Sequence, residues 1–250
     1  MNTASAAPDG SAVVNAGPVQ PVLRAVDLTV GYSAIPVIRN LNLEVHSGEI
    51  VALLGPNGAG KSTTLAALCG ELEPLSGHVD WMGERSSDPP HRRARQGLGF
   101  VTEERSIIRG LTTRDNLKLG RGSIDAALAL MPELEPMLNR RAGLLSGGQQ
   151  QMLALACALS QSPRALLVDE LSLGLAPLIV GRLLRVLEEA AQSGKGILLV
   201  EQHVRQALRV ADRAYVLLRG QVALEGTGRE LAKRQDEIEA LYLSDGDHNV

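Results

Sequence analysis

The segment EIVALLGPNGAGKST, residues 49–63, admits few folds. Its first half is a nearly continuous apolar run, which is how a strand covered on both faces reads. Its second half is glycine-rich and ends in Lys-Ser-Thr, and the apolar stretch LAALC follows. Strand, curled loop and helix therefore stand in series, the beginning of an α/β unit around a parallel sheet. Glycines let successive N–H groups turn inward, and the helix start adds the positive end of its dipole. The loop reads as a seat for phosphate. Gly55, Pro56, Asn57, Gly58, Ala59 and Gly60 form its backbone. Lys61 is placed to reach the β- and γ-phosphates of a nucleotide, Ser62 to ligate Mg²⁺, and Thr63 to support the phosphate.

A second strand of the same kind, ALLVDE (165–170), delivers Asp169 and Glu170 at its carboxyl end. Open α/β sheets bind ligands at that end. Asp169 suits Mg²⁺, directly or through water, and Glu170 suits polarising an attacking water. Alone, two adjacent acids at a strand end are as readily a solvated pair; the lysine loop favours the functional reading. Tyr32, between two strands upstream of the loop, is a candidate to stack on adenine, with a surface turn tyrosine as the alternative.

The remaining pattern extends the α/β reading. Strands are expected at 23–30, 36–45, HVDWMG, 98–102, 165–170, 196–201, AYVLLRG and QVALEG. In the second of these, Val37, Leu41, Leu43 and Val45 should share one face. Helices are expected from Lys61 to Cys69, closed by Gly70, and at 177–192 with Pro at the first turn. VRQALRVA and ELAKRQDEIEALYL complete the helices. From about 104 to 162 the pattern is helical, with Thr112 and Ser123 as caps. This predicts a core of residues 22–103 and 163–250 interrupted by a helical insertion at about 104–162, all in one domain. Residues 1–21 are small, polar and rich in Pro and Gly; they read as a disordered arm and lack the pattern of a signal peptide.

Composition removes other classes. A net charge of −3 gives no electrostatic pull toward nucleic acid, and five aromatic residues are too few for a base-stacking platform. Cys69 and Cys157 sit in apolar helical patterns and read as buried free thiols. No Cys/His spacing resembles a metal site. His46, His78, His91 and His248 read as surface or turn residues. No apolar run reaches the roughly 18 residues needed to cross a bilayer, and a cytoplasmic location is expected.

One motif remains. LSGGQQQ (145–151) places a helix-capping serine before two glycines, between the helical insertion and ALLVDE. In this order the three motifs resemble those of the ATP-binding cassette (ABC) ATPases, over about residues 23 to 245. The resemblance implies a P-loop NTPase (RecA-like) core with an antiparallel β subdomain and an inserted helical subdomain. It implies ATP and Mg²⁺ as cofactors, and two cassettes packed head to tail. Ser146, Gly147 and Gly148 would then close the nucleotide site of a partner cassette, either a second copy or a related chain. Glu103 stands where most cassettes have a Gln that senses Mg²⁺ and the permease. Gln202 stands at the switch-His position, with His203 as the alternative switch residue. Leu171 replaces a usual Pro, and Cys157 stands where Arg is common.

SLGLAP (172–177), LLVEQHVRQAL (198–208) and VTEERSIIRGLTTRDNL resemble the smaller ATPase of branched-chain (hydrophobic) amino acid importers. That implies two membrane permeases, an extracytoplasmic solute-binding protein and a peripheral location on the cytoplasmic face of the membrane. A permease-facing groove is expected near Glu103 to Gly110, with Ile107, Ile108 and Leu111 as exposed contacts or as core of the insertion. Importers of urea, short amides or another small organic solute are the alternative. A soluble cassette acting on ribosomes or DNA, or a small-molecule kinase, is further off.

Overall fold

The computed structural model describes residues 20–246 except Arg121, and all structural statements refer to these. All but the last two residues of the expected N-terminal arm, and His248, lie outside them.

Two sheets form the frame. Strands β1 (Leu23–Tyr32), β2 (Ile35–Val45), β4 (Ser76–Trp81) and β5 (Glu84–Arg85) make an antiparallel sheet in the order β2-β1-β4-β5. Strands β3 (Ile50–Leu54), β6 (Leu98–Val101), β7 (Ala165–Asp169), β8 (Gly196–Glu201), β9 (Arg213–Leu218) and β10 (Gln221–Thr227) make the second, ordered β10-β9-β3-β8-β7-β6. Every pairing in it is parallel except β9 with β10.

The apolar runs are continuous because this sheet is covered on both faces. Ile50, Ala52 and Leu54 of β3 face one core, and Val51 and Leu53 face the other. In β7, Leu166 and Val168 go with the first set and Ala165 and Leu167 with the second. The first core is closed by α6 (Pro177–Gln192) and the helical segment. The second is closed by α1 (Lys61–Cys69) and the antiparallel sheet. The alternation of a strand thus survives as a division between two cores.

Between residues 113 and 159 the regular elements of the described chain are all helical: α3 (Thr113–Leu119), α4 (Ile124–Leu130), two short 3-10 turns and α5 (Gly147–Leu159), with one isolated β-bridge from Arg141 to Thr112. The caps at Thr112 and Ser123 form as expected: Thr112 accepts from Asp115 N–H and Ser123 from Ala126 N–H. The short helix α2 (Pro90–Arg95), unmarked by any periodic pattern, precedes β6.

Three local expectations are corrected. In β2, Ile38 rather than Val37 is in the core, because the backbone of Asn40 turns left-handed (φ 50°) and shifts the register against β1. The C-terminal helix is two helices, α8 (Gly228–Ala232), capped reciprocally by Thr227 and Glu230, and α9 (Gln235–Gly246). Between β8 and β9, regular helix is confined to α7 (Val204–Ala207). Cys69 is buried and Cys157 partly so, and burial pushes the Cys157 thiol up to about 12.

Candidate functional site

The glycine loop leaves the carboxyl end of β3 in the middle of the parallel sheet and enters α1 through two left-handed residues, Gly58 (φ 81°) and Gly60 (φ 105°). A Cβ on Gly60 would run into the Ile38 side chain, so both the conformation and the space require glycine there. Gly60 offers no side chain to cap α1, so the first N–H groups of this helix are open to an outside acceptor. Lys61 is 5% exposed. Its ammonium donates to the carbonyls of Gly55 (2.9 Å) and Pro56 (3.2 Å) and lies 3.7 Å from Glu170. Burial pulls its pKa down, and Glu170 and Asp169 oppose that.

The acidic pair arrives from β7, whose end lies beside β8 in parallel register. Asp169 is 8% exposed, and its Oδ1 is buried with no hydrogen-bond partner. Burial, then the neighbouring charges of Glu170 and Glu103, push its pKa up to about 6. Glu170 itself is left-handed (φ 45°), a conformation that crowds any side chain. One cleft is lined by Asn57, Lys61, Ser62, Glu103, Glu170 and Gln202, among others. Gln202 donates its amide N–H to the side-chain carbonyl of Asn57, tying the end of β8 to the glycine loop. Among the residues lining the cleft Lys61 is the one cation, facing Glu103 and Glu170.

Ser62 and the acids Asp169, Glu170 and Glu103 are hard oxygen donors, and an orphaned buried carboxylate oxygen stands among them. Among the described residues no three acid, His or Cys side chains are gathered into a ready-made metal site, so these donors suit only a cation that takes most of its coordination from phosphate and water, as Mg²⁺ does. In the nucleotide-free chain, ionised Asp169 is a liability. Its raised pKa makes the penalty absent below its ordinary value of 3.8 and complete above about 6. Without Mg²⁺ or nucleotide, the Tm of the native chain should therefore rise from about pH 7.5 to about pH 5 relative to that of Asp169→Asn. Parallel Tm curves for the two would contradict this assignment.

Elsewhere the structure separates what the sequence grouped. Tyr32, 57% exposed at the end of β1, does not line the cleft. The LSGGQQQ stretch contributes no lining residue either. Ser146 caps α5 in a reciprocal box: its hydroxyl accepts from Gln149 N–H, and its own N–H donates to the Gln149 side chain (2.9 Å). Gly147 and Gly148 open the helix. A Cβ at Gly148 would lie 2.9 Å from Ile179 of α6, so the residue is held at its minimum by helix contact. His203 is half exposed and bonds Ser172 (3.1 Å) rather than facing the glycine loop.

A groove on a different face from this cleft is lined in part by the segment expected to carry one, through Thr102, Arg105, Ser106 and Ile108. It encloses about 540 Å³ between α2 and β6 on one side and α3 and α5 on the other. Arg105, Ile108, Leu119 and Cys157 line it, with Ile108 53% and Leu119 59% exposed. Ile107 packs against the core instead, and Glu103 lines the Lys61 cleft. Arg105 was not foreseen. From a left-handed backbone (φ 71°) it donates to the side-chain carbonyls of Gln150 (2.9 Å) and Gln151 (3.1 Å), bracing α5 from the groove side.

A family model described as ABC transporter matches residues 38–172. The chain is an ABC transporter ATP-binding cassette. The cassette is 40% identical over 210 residues to the high-affinity branched-chain amino acid transport ATP-binding protein BraG of Pseudomonas aeruginosa, covering 80% of this chain and 90% of that one. It is 37% identical over 228 residues to a probable branched-chain amino acid transport ATP-binding protein, LivF, of Archaeoglobus fulgidus (86% and 95%). It is also 35% identical over 236 residues to the lipopolysaccharide export system ATP-binding protein LptB of Escherichia coli K12 (89% and 97%). Among solved structures, the dimeric structure of a bacterial ABC transporter cassette superposes with a TM-score of 0.74 at 27% identity, covering 83% of this chain and 99% of that one. The fold is accordingly that of the ABC ATPases, and the cassette is the ATP-binding, ATP-hydrolysing subunit of a transporter.

One further residue missed in the sequence belongs beside this site. Glu201 ends β8 with 2% exposure, and both its oxygens are bonded by Ser172. A carboxylate closing the apolar run GILLVE was the available signal, the same pattern that marked ALLVDE.

Proposed function

We propose that the cassette powers an importer of branched-chain or other hydrophobic amino acids. The observation that carries this reading is its 40% identity to BraG across most of both chains. The similarity to LptB, at 35%, favours a second reading, a transporter of lipopolysaccharide. Urea or short amides remain alternative cargoes. The cargo itself meets the permeases, not this chain.

In this reading the glycine loop, from Gly55 to Thr63, cradles the triphosphate of ATP, and Tyr32 stacks on adenine. Ser62, Asp169 and Glu103 would hold Mg²⁺, which would supply neutralising charge between the acids and the phosphates. Glu170 orients the attacking water, Lys61 steadies the γ-phosphate, and the Gln202 amide bonds the same group. The separation of Ser146 from the Lys61 cleft supports its use by a partner cassette: Ser146, Gly147 and Gly148 close over ATP bound to the other protomer. Two-fold packing forms two such sites at once. The partner is a second copy or a related cassette.

Closure then draws the helical insertion, at about 104–162, along with it, and ATP favours the closed arrangement by binding both faces. The groove around Ile108 and Leu119 is where we place the permeases, with the core at 22–103 and 163–250 bearing the nucleotide. No described helix is long and apolar enough to cross a membrane, which fits a subunit held peripherally on the cytoplasmic face. The test is reconstitution in vesicles with two permeases and an extracytoplasmic binding protein. Leucine, valine or isoleucine should raise ATP hydrolysis. Stimulation by urea alone, or productive pairing only with lipopolysaccharide permeases, would replace the amino acid assignment.

A further inference from the structure

The loop behind the acidic pair is stitched to the end of β8. Glu170 N–H donates to Val200 O (3.0 Å). Ser172 N–H donates to one carboxylate oxygen of Glu201 (3.0 Å), and the Ser172 hydroxyl donates to the other (2.9 Å). That hydroxyl oxygen then accepts from Nδ1 of His203 (3.1 Å), in the tautomer that carries its proton there. Between the two stitched residues, Leu171 is 1% exposed in the core.

The arrangement is unusual in two respects. A carboxylate that is 2% exposed is costly to bury unless its oxygens are bonded. Here a serine two residues beyond Glu170 supplies a bond to each. And Glu170 holds a left-handed backbone, which a non-glycine residue keeps only where its surroundings over-determine it. A clamp on position 172 and a backbone bond on position 170 bracket that turn from both ends. The turn decides where the Glu170 side chain points, and it points to within 3.7 Å of the Lys61 ammonium.

We propose that Glu201 is a positioning residue for ATP hydrolysis: through Ser172 it holds the left-handed turn at Glu170 and so aims that carboxylate into the nucleotide cleft. The proposal rests on the reading of Glu170 as the group that orients the attacking water. Glu201 need not touch nucleotide or water, since its two bonds run to Ser172.

The experiment compares full-length native chain with Glu201→Ala, Ser172→Ala, Glu201→Gln and Glu170→Gln, measuring kcat and KM for ATP with Mg²⁺ alongside Tm. Glu201→Ala and Ser172→Ala should lower kcat about tenfold, as displacement of a catalytic group does, with KM unchanged. Glu201→Gln keeps an acceptor for the Ser172 N–H and a donor for its hydroxyl oxygen, and should restore most of the rate. Native kcat in Ser172→Ala, or a rise in KM in place of the fall in kcat, overturns the proposal. So does Glu201→Gln as slow as Glu201→Ala, which assigns the effect to charge rather than to the clamp. If Glu201→Ala does not fold, Ser172→Ala and Glu201→Gln decide. Native hydrolysis by Glu170→Gln removes the reading of Glu170 itself, and that failure is visible apart from the others.

Discussion

Glu170→Gln should lose ATP hydrolysis by about 10²-fold or more, the range of general-base catalysis, while still binding ATP, and its ATP-loaded form should elute as a dimer. The geometry gives the reason. Glu170 stands 3.7 Å from the Lys61 ammonium at the mouth of the glycine loop. Gln fills the same volume and keeps the backbone bond to Val200 O, so the seat for the triphosphate is preserved. In the proposed reading, what is lost is the anionic oxygen that orients water. The variant also removes one negative charge from a cleft that is lined by Glu103 and backed by Asp169, which favours retention of nucleotide. Gel filtration with ATP and Mg²⁺, with a related cassette supplied where the chain does not pair with itself, reads the outcome. A monomer under all these conditions contradicts closure across two cassettes. His203→Ala serves as the contrast: its ring bonds Ser172 and is half exposed, so its loss should cost far less than that of Glu170. A collapse of activity in a folded His203→Ala would return the switch role to His203.

Lys61→Ala should weaken ATP binding by about 10²-fold or more, corresponding to the loss of one partner from a buried charged contact. Lys61 is the one cation lining a cleft that also presents Glu103 and Glu170, with Asp169 just behind. Truncation leaves those carboxylates facing a triphosphate without an opposing charge. It also frees the carbonyls of Gly55 and Pro56, which the ammonium now bonds. Calorimetric titration of ATP into the variant measures the loss; binding within a few-fold of native would remove Lys61 from the phosphate site. Lys61→Arg should not rescue it, because the ammonium is 5% exposed inside a curl of backbone that a wider guanidinium does not fit.

Much of this was legible in the linear chain. EIVALLG and ALLVDE announced strands buried on both faces, and β3 and β7 are wholly buried. Capping residues such as Thr112, Ser123 and Ser146 act through bonds three residues long, so local spacing suffices to find them. Val37 was misplaced because a bulge at Asn40 breaks the two-residue period, and a left-handed Asn leaves no pattern in the sequence. Arg105 and Glu201 escaped for another reason. Their partners, Gln150, Gln151 and Ser172, lie 29 or more positions away, and contacts of that reach are set by the sheet order and the placement of α5. Tyr32 and Gln202 illustrate the two results. Gln202 is brought to the glycine loop through Asn57, whereas Tyr32 stays on the rim of the antiparallel sheet.

The absent side chain at Gly148 has a mechanical meaning. With so little space between the opening turn of α5 and Ile179, these two helices interlock like gear teeth and resist sliding lengthwise. In the proposed closure, α5 would swing about this tight point more readily than it would slide past Ile179.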